Sequence, residues 1–176
     1  MTGKKFLNSL ANGKSDVIQF FLDQLEKLKI DYCVIGGLAV NAYAEPVVSL
    51  DFDLVLAIGD IDKFPAQIGI SKEKFTVKNF TDSLNIDHPD SNLRIQIQTD
   101  ERYQPFIKNA EIKKVLGYEM KVAALEDLLK GKVWAYSDQE RRKSKRQKDL
   151  ADIMRLVETY PDLLGLLPEK IKQFII

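Results

Sequence analysis

Two carboxylates spaced two residues apart are the groups in this chain best placed to do chemistry. They open the stretch Asp51-Phe52-Asp53-Leu54-Val55-Leu56. Read as a strand, this puts Asp51 and Asp53 on one face and Phe52 and Leu54 on the other. Alternate residues of a strand lie roughly 6.5 Å apart, so both carboxylates can converge on one or two hard cations. Magnesium suits such a pair, because it takes oxygen ligands and is held by one or two carboxylates plus substrate phosphates. Upstream, Gly36-Gly37 joins an apolar strand expected over 30–35 to a short helix expected over 37–44. Free N–H groups at a helix start can receive phosphate. Taken singly, an acidic pair is often a solvated face and Gly-Gly a tight turn. In this order they are the minimum equipment for handling a nucleoside triphosphate.

The order hG-G, short helix, h-D-h-D-h resembles the signature of the nucleotidyltransferase superfamily that shares the polymerase-beta-like fold. A second stretch narrows the likeness. Val122 to Ala135, VAALEDLLKGKVWA, followed by Arg146 to Asp152, RQKDLAD, is similar to the pattern of AbiEii-type nucleotidyltransferases. Those are small proteins of toxin–antitoxin or phage-defence systems. The resemblance spans residues 31–160. It implies an α/β (α+β) nucleotidyltransferase fold, with a mixed sheet of about five strands flanked by helices. The metal site would lie on the sheet's edge, and a C-terminal helical subdomain would close the cleft.

The same resemblance implies Mg2+ or Mn2+ as cofactor and an NTP as substrate. The reaction would move a nucleoside monophosphate onto a hydroxyl of an RNA (tRNA included) or protein acceptor, and a cognate antitoxin or toxin would be the partner. Asp51 and Asp53 are then the catalytic and metal residues, and Gly36, Gly37, Lys132, Lys148 and Asp149 bind nucleotide. Lys132 and Lys148 would stabilise the leaving pyrophosphate, while Asp149 would orient Lys148 or touch the nucleotide. Asp152 also matches; its bland role is an i, i+4 ion pair with Lys148.

One position departs from the pattern. Active relatives carry a third carboxylate on the strand that reads here as Leu93 to Thr99. The matching residue is Gln96, or Gln98 if the register slips by one pair. Glutamine is neutral and cannot act as a base. Asp100 shares its face by parity and could substitute only if the strand bends sharply. An alternative therefore stands beside the enzyme: a catalytically degenerate nucleotide- or partner-binding module. A third reading is an RNA-binding protein that uses the basic run Arg141 to Lys148, with the acidic pair merely structural.

Composition sets the frame. The 176 residues carry 26 Lys+Arg against 26 Asp+Glu, so no global charge steers the chain to nucleic acid. One domain over 1–176 is expected, with a flexible arm at 1–14, an αβ core at 15–122 and a helical part at 123–176. Ser15 or Asp16 should cap a core-facing helix from 17 to 28. Further strands are expected over 75–80, 83–86 and 93–99, a helix over 61–68, and a hairpin around Gly117. A short helix is expected over 103–110, and longer ones over 124–136 and 149–160. The sole histidine, His88, falls in a turn beside Pro89 and reads as a surface residue. The single Cys33 excludes internal disulfides and fits a reducing cytosol. With no leader-like apolar run and no stretch near the roughly 20 residues of a membrane span, a soluble, cytoplasmic protein is expected.

Overall fold

The computed structural model describes residues 2–67 and 75–176. Seven strands form one sheet: β1 (Tyr32–Ile35), β2 (Asp51–Leu56), β3 (Thr76–Asn79), β4 (Ser83–Asp87), β5 (Arg94–Gln98), β6 (Glu111–Val115) and β7 (Tyr118–Val122). Their order across the sheet is β3-β4-β5-β2-β1-β7-β6. The pairs β2/β5 and β1/β7 are parallel and the others antiparallel. The sheet is therefore wider than the five strands expected, because the β6–β7 hairpin joins it through the Val34–Val122 pairing. It also moves the acidic strand. β2 lies fourth of seven, so Asp51 and Asp53 sit mid-sheet and not on its edge.

Side-chain parity divides the sheet into two faces. Phe52, Leu54, Leu84, Ile86, Ile95 and Ile97 point one way and are all buried. The core also takes in α2 (Val17–Lys27), whose Phe21 meets Phe64 and Phe75 edge-on at 5.8 and 5.4 Å. Asp16 caps α2 by accepting from the Gln19 N–H at 3.1 Å. The helix ends in a Schellman motif: Lys29 turns left-handed at φ 54°, and the Ile30 N–H donates back to the Leu25 carbonyl at 3.0 Å. Cys33, at the sheet's centre, is fully buried, and desolvation pushes its thiol up to about 12.

Two expectations change at the N-terminal side and at the glycine turn. Residues 3–10, expected to be a flexible arm, form α1 (Gly3–Leu10), capped by Thr2. Leu7 is buried, and the Lys4 ammonium donates to Gln19 Oε1 at 2.6 Å while lying over the Tyr118 ring. The helix after the glycines, α3 (Gly36–Val40), is shorter than expected and gives way to turns before Pro46. Of the helix expected over 61–68, Phe64–Gln67 is present as α4, and residue 68 lies outside the described residues.

Three more helices complete the site's walls. They are α5 (Gln104–Lys108), which follows a 3-10 turn at Glu101–Tyr103, α6 (Leu125–Ser137) and α7 (Lys143–Thr159). Leu128 and Leu129 of α6 and Leu150, Ile153, Leu156 and Val157 of α7 are buried, the 3.6-residue stripe of helices that pack on a core. No helix among the described residues is long and apolar enough to cross a membrane.

Candidate functional site

Asp51 and Asp53 project from the start of β2 into a cleft between the sheet and the polar face of α7. Ser49 fixes the strand's entry, its Oγ accepting from the Asp51 N–H at 3.2 Å. Gly36 fixes the neighbour. Its φ is +74°, and a Cβ built there would overlap the Asp53 carboxylate. Both backbone and space therefore demand glycine. Gly37 is different: a Cβ there would reach only ordinary contact with Ser49 Oγ at 3.6 Å and Asp152 Oδ2 at 3.8 Å.

The two carboxylates live in different fields. Asp51 is surrounded by cations, with Arg94 Nη2 at 2.8 Å, Lys145 Nζ at 3.4 Å and Lys148 Nζ at 3.8 Å. Among the described residues Asp53 has no such contact. Burial, and then the charge of Asp51, push its carboxyl up to about 6, only partly offset by Lys132, Lys145 and Arg141. Among the described residues no three His, Cys, Asp or Glu side chains gather as a metal cluster. The pair nevertheless suits a hard cation: two oxygen-donor carboxylates share one strand face, and one of them lacks a neutralising partner among the described residues.

Behind the pair lies a largely buried ion network. Lys132 Nζ stands 3.1 Å from Asp149 Oδ1 and 2.6 Å from Asp152 Oδ2. Arg141 Nε bonds Asp149 Oδ2 at 2.7 Å, and Arg155 Nη1 bonds Asp152 Oδ1 at 2.7 Å. Burial alone would lower the Lys132 ammonium, but Asp152 and Asp149 outweigh it and hold the group above the usual lysine value. Arg155 also donates to Asn41 Oδ1 at 2.9 Å and to the Glu45 carbonyl, tying α7 to the loop after α3.

The structure thus brings Asp51, Asp53, Gly36, Gly37, Lys132, Lys148 and Asp149 to one cleft, with two changes of partner. Asp149 faces Lys132 and Arg141 instead of orienting Lys148. The bland Lys148–Asp152 pair gives way to Lys148 near Asp51 and Asp152 on Lys132 and Arg155. Arg94, Lys145 and Arg155 were missed as individuals. The signal for two of them is the helical spacing 145, 148, 152, 155, which lays a polar stripe along α7.

The third-carboxylate question resolves through register. β2 and β5 pair in parallel with Asp51 opposite Arg94 and Asp53 opposite Gln96, so Gln96, not Gln98, is beside Asp53. Asp100 does not bend into the cleft. It accepts from the Arg102 N–H at 2.9 Å and pairs with Arg102 Nη2 at 2.6 Å, which holds its carboxyl below the usual range. His88 stays in its turn, Nδ1 accepting from the Asp90 N–H at 3.1 Å, with its ring against Phe75.

This sheet and its helices are the nucleotidyltransferase fold. The antibiotic-resistance factor ANT(2'')-Ia is similar with a TM-score of 0.59 at 12% identity, over 90% of this chain and 86% of that one. The lincosamide antibiotic adenylyltransferase LnuA, lincomycin-bound, gives 0.57 at 11% over 82% and 99%. An antigenic nucleotidyltransferase-like protein from Paracoccidioides brasiliensis gives 0.53 at 16% over 90% of each. The model of the nucleotidyl transferase AbiEii toxin family, type IV toxin–antitoxin system, matches residues 21–175, and the chain belongs to that family. No curated protein sequence matches it.

Proposed function

We propose that this chain transfers a nucleoside monophosphate from an NTP to an acceptor oxygen on RNA (tRNA included) or protein. The observation that carries the reading is the pair Asp51 and Asp53, on one strand face, opposite the cationic stripe of α7. Asp51 and Asp53 would hold Mg2+ or Mn2+, which when bound supplies charge neutralisation along the triphosphate. Lys145 and Lys148 already stand over Asp51 and are free to swing to phosphate oxygens; Lys148 is 62% exposed. The backbone N–H groups of Gly36 and Gly37 would receive further phosphate oxygens. Lys132, kept protonated by its two carboxylates, presents a fixed positive charge beside Asp53 where charge develops on the leaving pyrophosphate. Asp149 positions Lys132 and Arg141. A cognate antitoxin partner belongs to the same reading.

A second reading, nucleotide binding without turnover, is favoured by one observation: the neutral Gln96 beside Asp53. Calorimetric titration of each NTP with magnesium, into wild type and Asp51→Asn/Asp53→Asn, tests the site. Metal-dependent binding that disappears in the double variant supports it, and no binding to wild type overturns both readings. Label transfer from the bound NTP then selects the first reading, and its absence across RNA and protein acceptors selects the second.

A further inference from the structure

We propose that Arg94 is a resident counter-ion that sets how tightly the cleft takes a divalent cation. It holds Asp51 before the cation binds and passes to Asp87 when the cation arrives. This rests on the reading above, in which Asp51 and Asp53 hold the metal.

Sheet register puts Arg94 between two carboxylates. The parallel β2/β5 pairing sets Arg94 opposite Asp51, and the antiparallel β4/β5 pairing sets Asp87 opposite Arg94 from the other side. Residues directly opposed across an antiparallel pair share a face, with Cβ atoms roughly 4.5–5.5 Å apart. Arg94 Nη2 bonds Asp51 Oδ1 at 2.8 Å. Asp87 Oδ2 stands 3.3 Å from Lys78 Nζ of β3. Charge therefore alternates across the sheet, from Lys78 to Asp87, Arg94 and Asp51, and Lys145 and Lys148 meet Asp51 from α7. The backbone of Arg94 is fixed, its N–H donating to the Leu50 carbonyl at 2.8 Å. Only the side chain is left to move, and it is 60% exposed.

A metal and a guanidinium compete at Asp51 twice over. They seek the same carboxylate oxygens, and their charges repel. A lysine can shed its charge when crowded, but arginine stays protonated and has to move. Asp87 makes that movement an exchange of one carboxylate for another across a single strand gap. Both pairs reach solvent, where ion pairs are worth little, so the exchange is close to balanced. The cation can then shift it, because it favours the position of Arg94 that leaves Asp51 open. Asp87 is thereby a positioning residue for the metal, acting through Arg94.

The test titrates Mn2+ alone, without nucleotide, into the full chain and follows free Mn2+ by its paramagnetic resonance. Arg94→Gln should bind Mn2+ about three- to fivefold more tightly than wild type. Arg94→Lys, which keeps the charge and loses the fork, should gain less. Asp87→Asn should act in the opposite direction and weaken binding about two- to threefold, because Arg94 then stays on Asp51. In the Arg94→Gln background that loss should nearly vanish, since there is no guanidinium left to hand over. This non-additivity is what separates the hand-over from a remote charge effect. An equal loss from Asp87→Asn in both backgrounds overturns the hand-over, and Arg94→Gln binding no tighter than wild type overturns the counter-ion. Either result leaves the NTP titrations of the parent reading standing. Binding of Mn2+ by none of these chains, or binding that survives Asp51→Asn/Asp53→Asn, overturns the metal assignment of the parent reading as well.

Discussion

The two faces of β2 follow opposite rules. On one, Phe52 and Leu54 are sealed among apolar neighbours and ask nothing of sequence beyond size and hydrophobicity. On the other, Asp51 and Asp53 stand among fixed charges whose value depends on each partner being present. The first face tolerates small changes because packing losses are graded. The second does not, because a buried ion stripped of its partner retains its full desolvation penalty. A site of this kind stores instability until a ligand arrives.

The sharpest way to break the contrast is Lys132→Met. It leaves Asp149 and Asp152 without the ammonium they share, and stability in urea should fall by about 3–5 kcal/mol. Replacing Asp149 and Asp152 by asparagine in the same chain should return part of that loss, since it removes the two uncompensated charges and leaves Arg141 and Arg155 neutral acceptors. A second loss as large as the first would mean that α6 and α7 need these charges for their packing. On the apolar face, Ile95→Val should cost only about 0.5–1.5 kcal/mol, with NTP affinity per folded molecule unchanged.

A third expected shift has the opposite sign. Asp53 titrates near 6 when folded, above the unfolded value of about 3.9, so its ionised form opposes folding. That opposition is complete above pH 6, declines as pH falls, and is gone below about pH 4. Asp53→Asn should therefore be more stable than wild type at pH 8 without metal, and lose that advantage between pH 6 and 4. A variant no more stable at pH 8 would show that the cations of α7 already neutralise Asp53.

How much of this was legible in the sequence follows the range of the interactions. Strand parity and the glycine turn are local, so the acidic pair and its shared face could be read directly, while the choice between Gln96 and Gln98 depended on the pairing of β2 with β5. Which strands unite in one sheet is not local. The Val34–Val122 pairing that makes seven strands of one sheet joins residues far apart in the chain. Lys132 and Asp149 lie on two different helices, and no spacing rule connects them. At the N-terminal side the composition misled: Gly, Asn and Lys suggested an arm, yet Leu7 and Ala11 keep helical spacing and are buried.

Cys33 gives the molecule a built-in clock. It is the only cysteine of the chain, and its sulfur lies fully buried in a central strand with a thiol that ionises only near 12. A thiol reagent in neutral solution therefore waits for β1 to open before it can react. The rate of its single modification times how often the middle of the sheet comes apart, in any variant and with any ligand, without a label being engineered in.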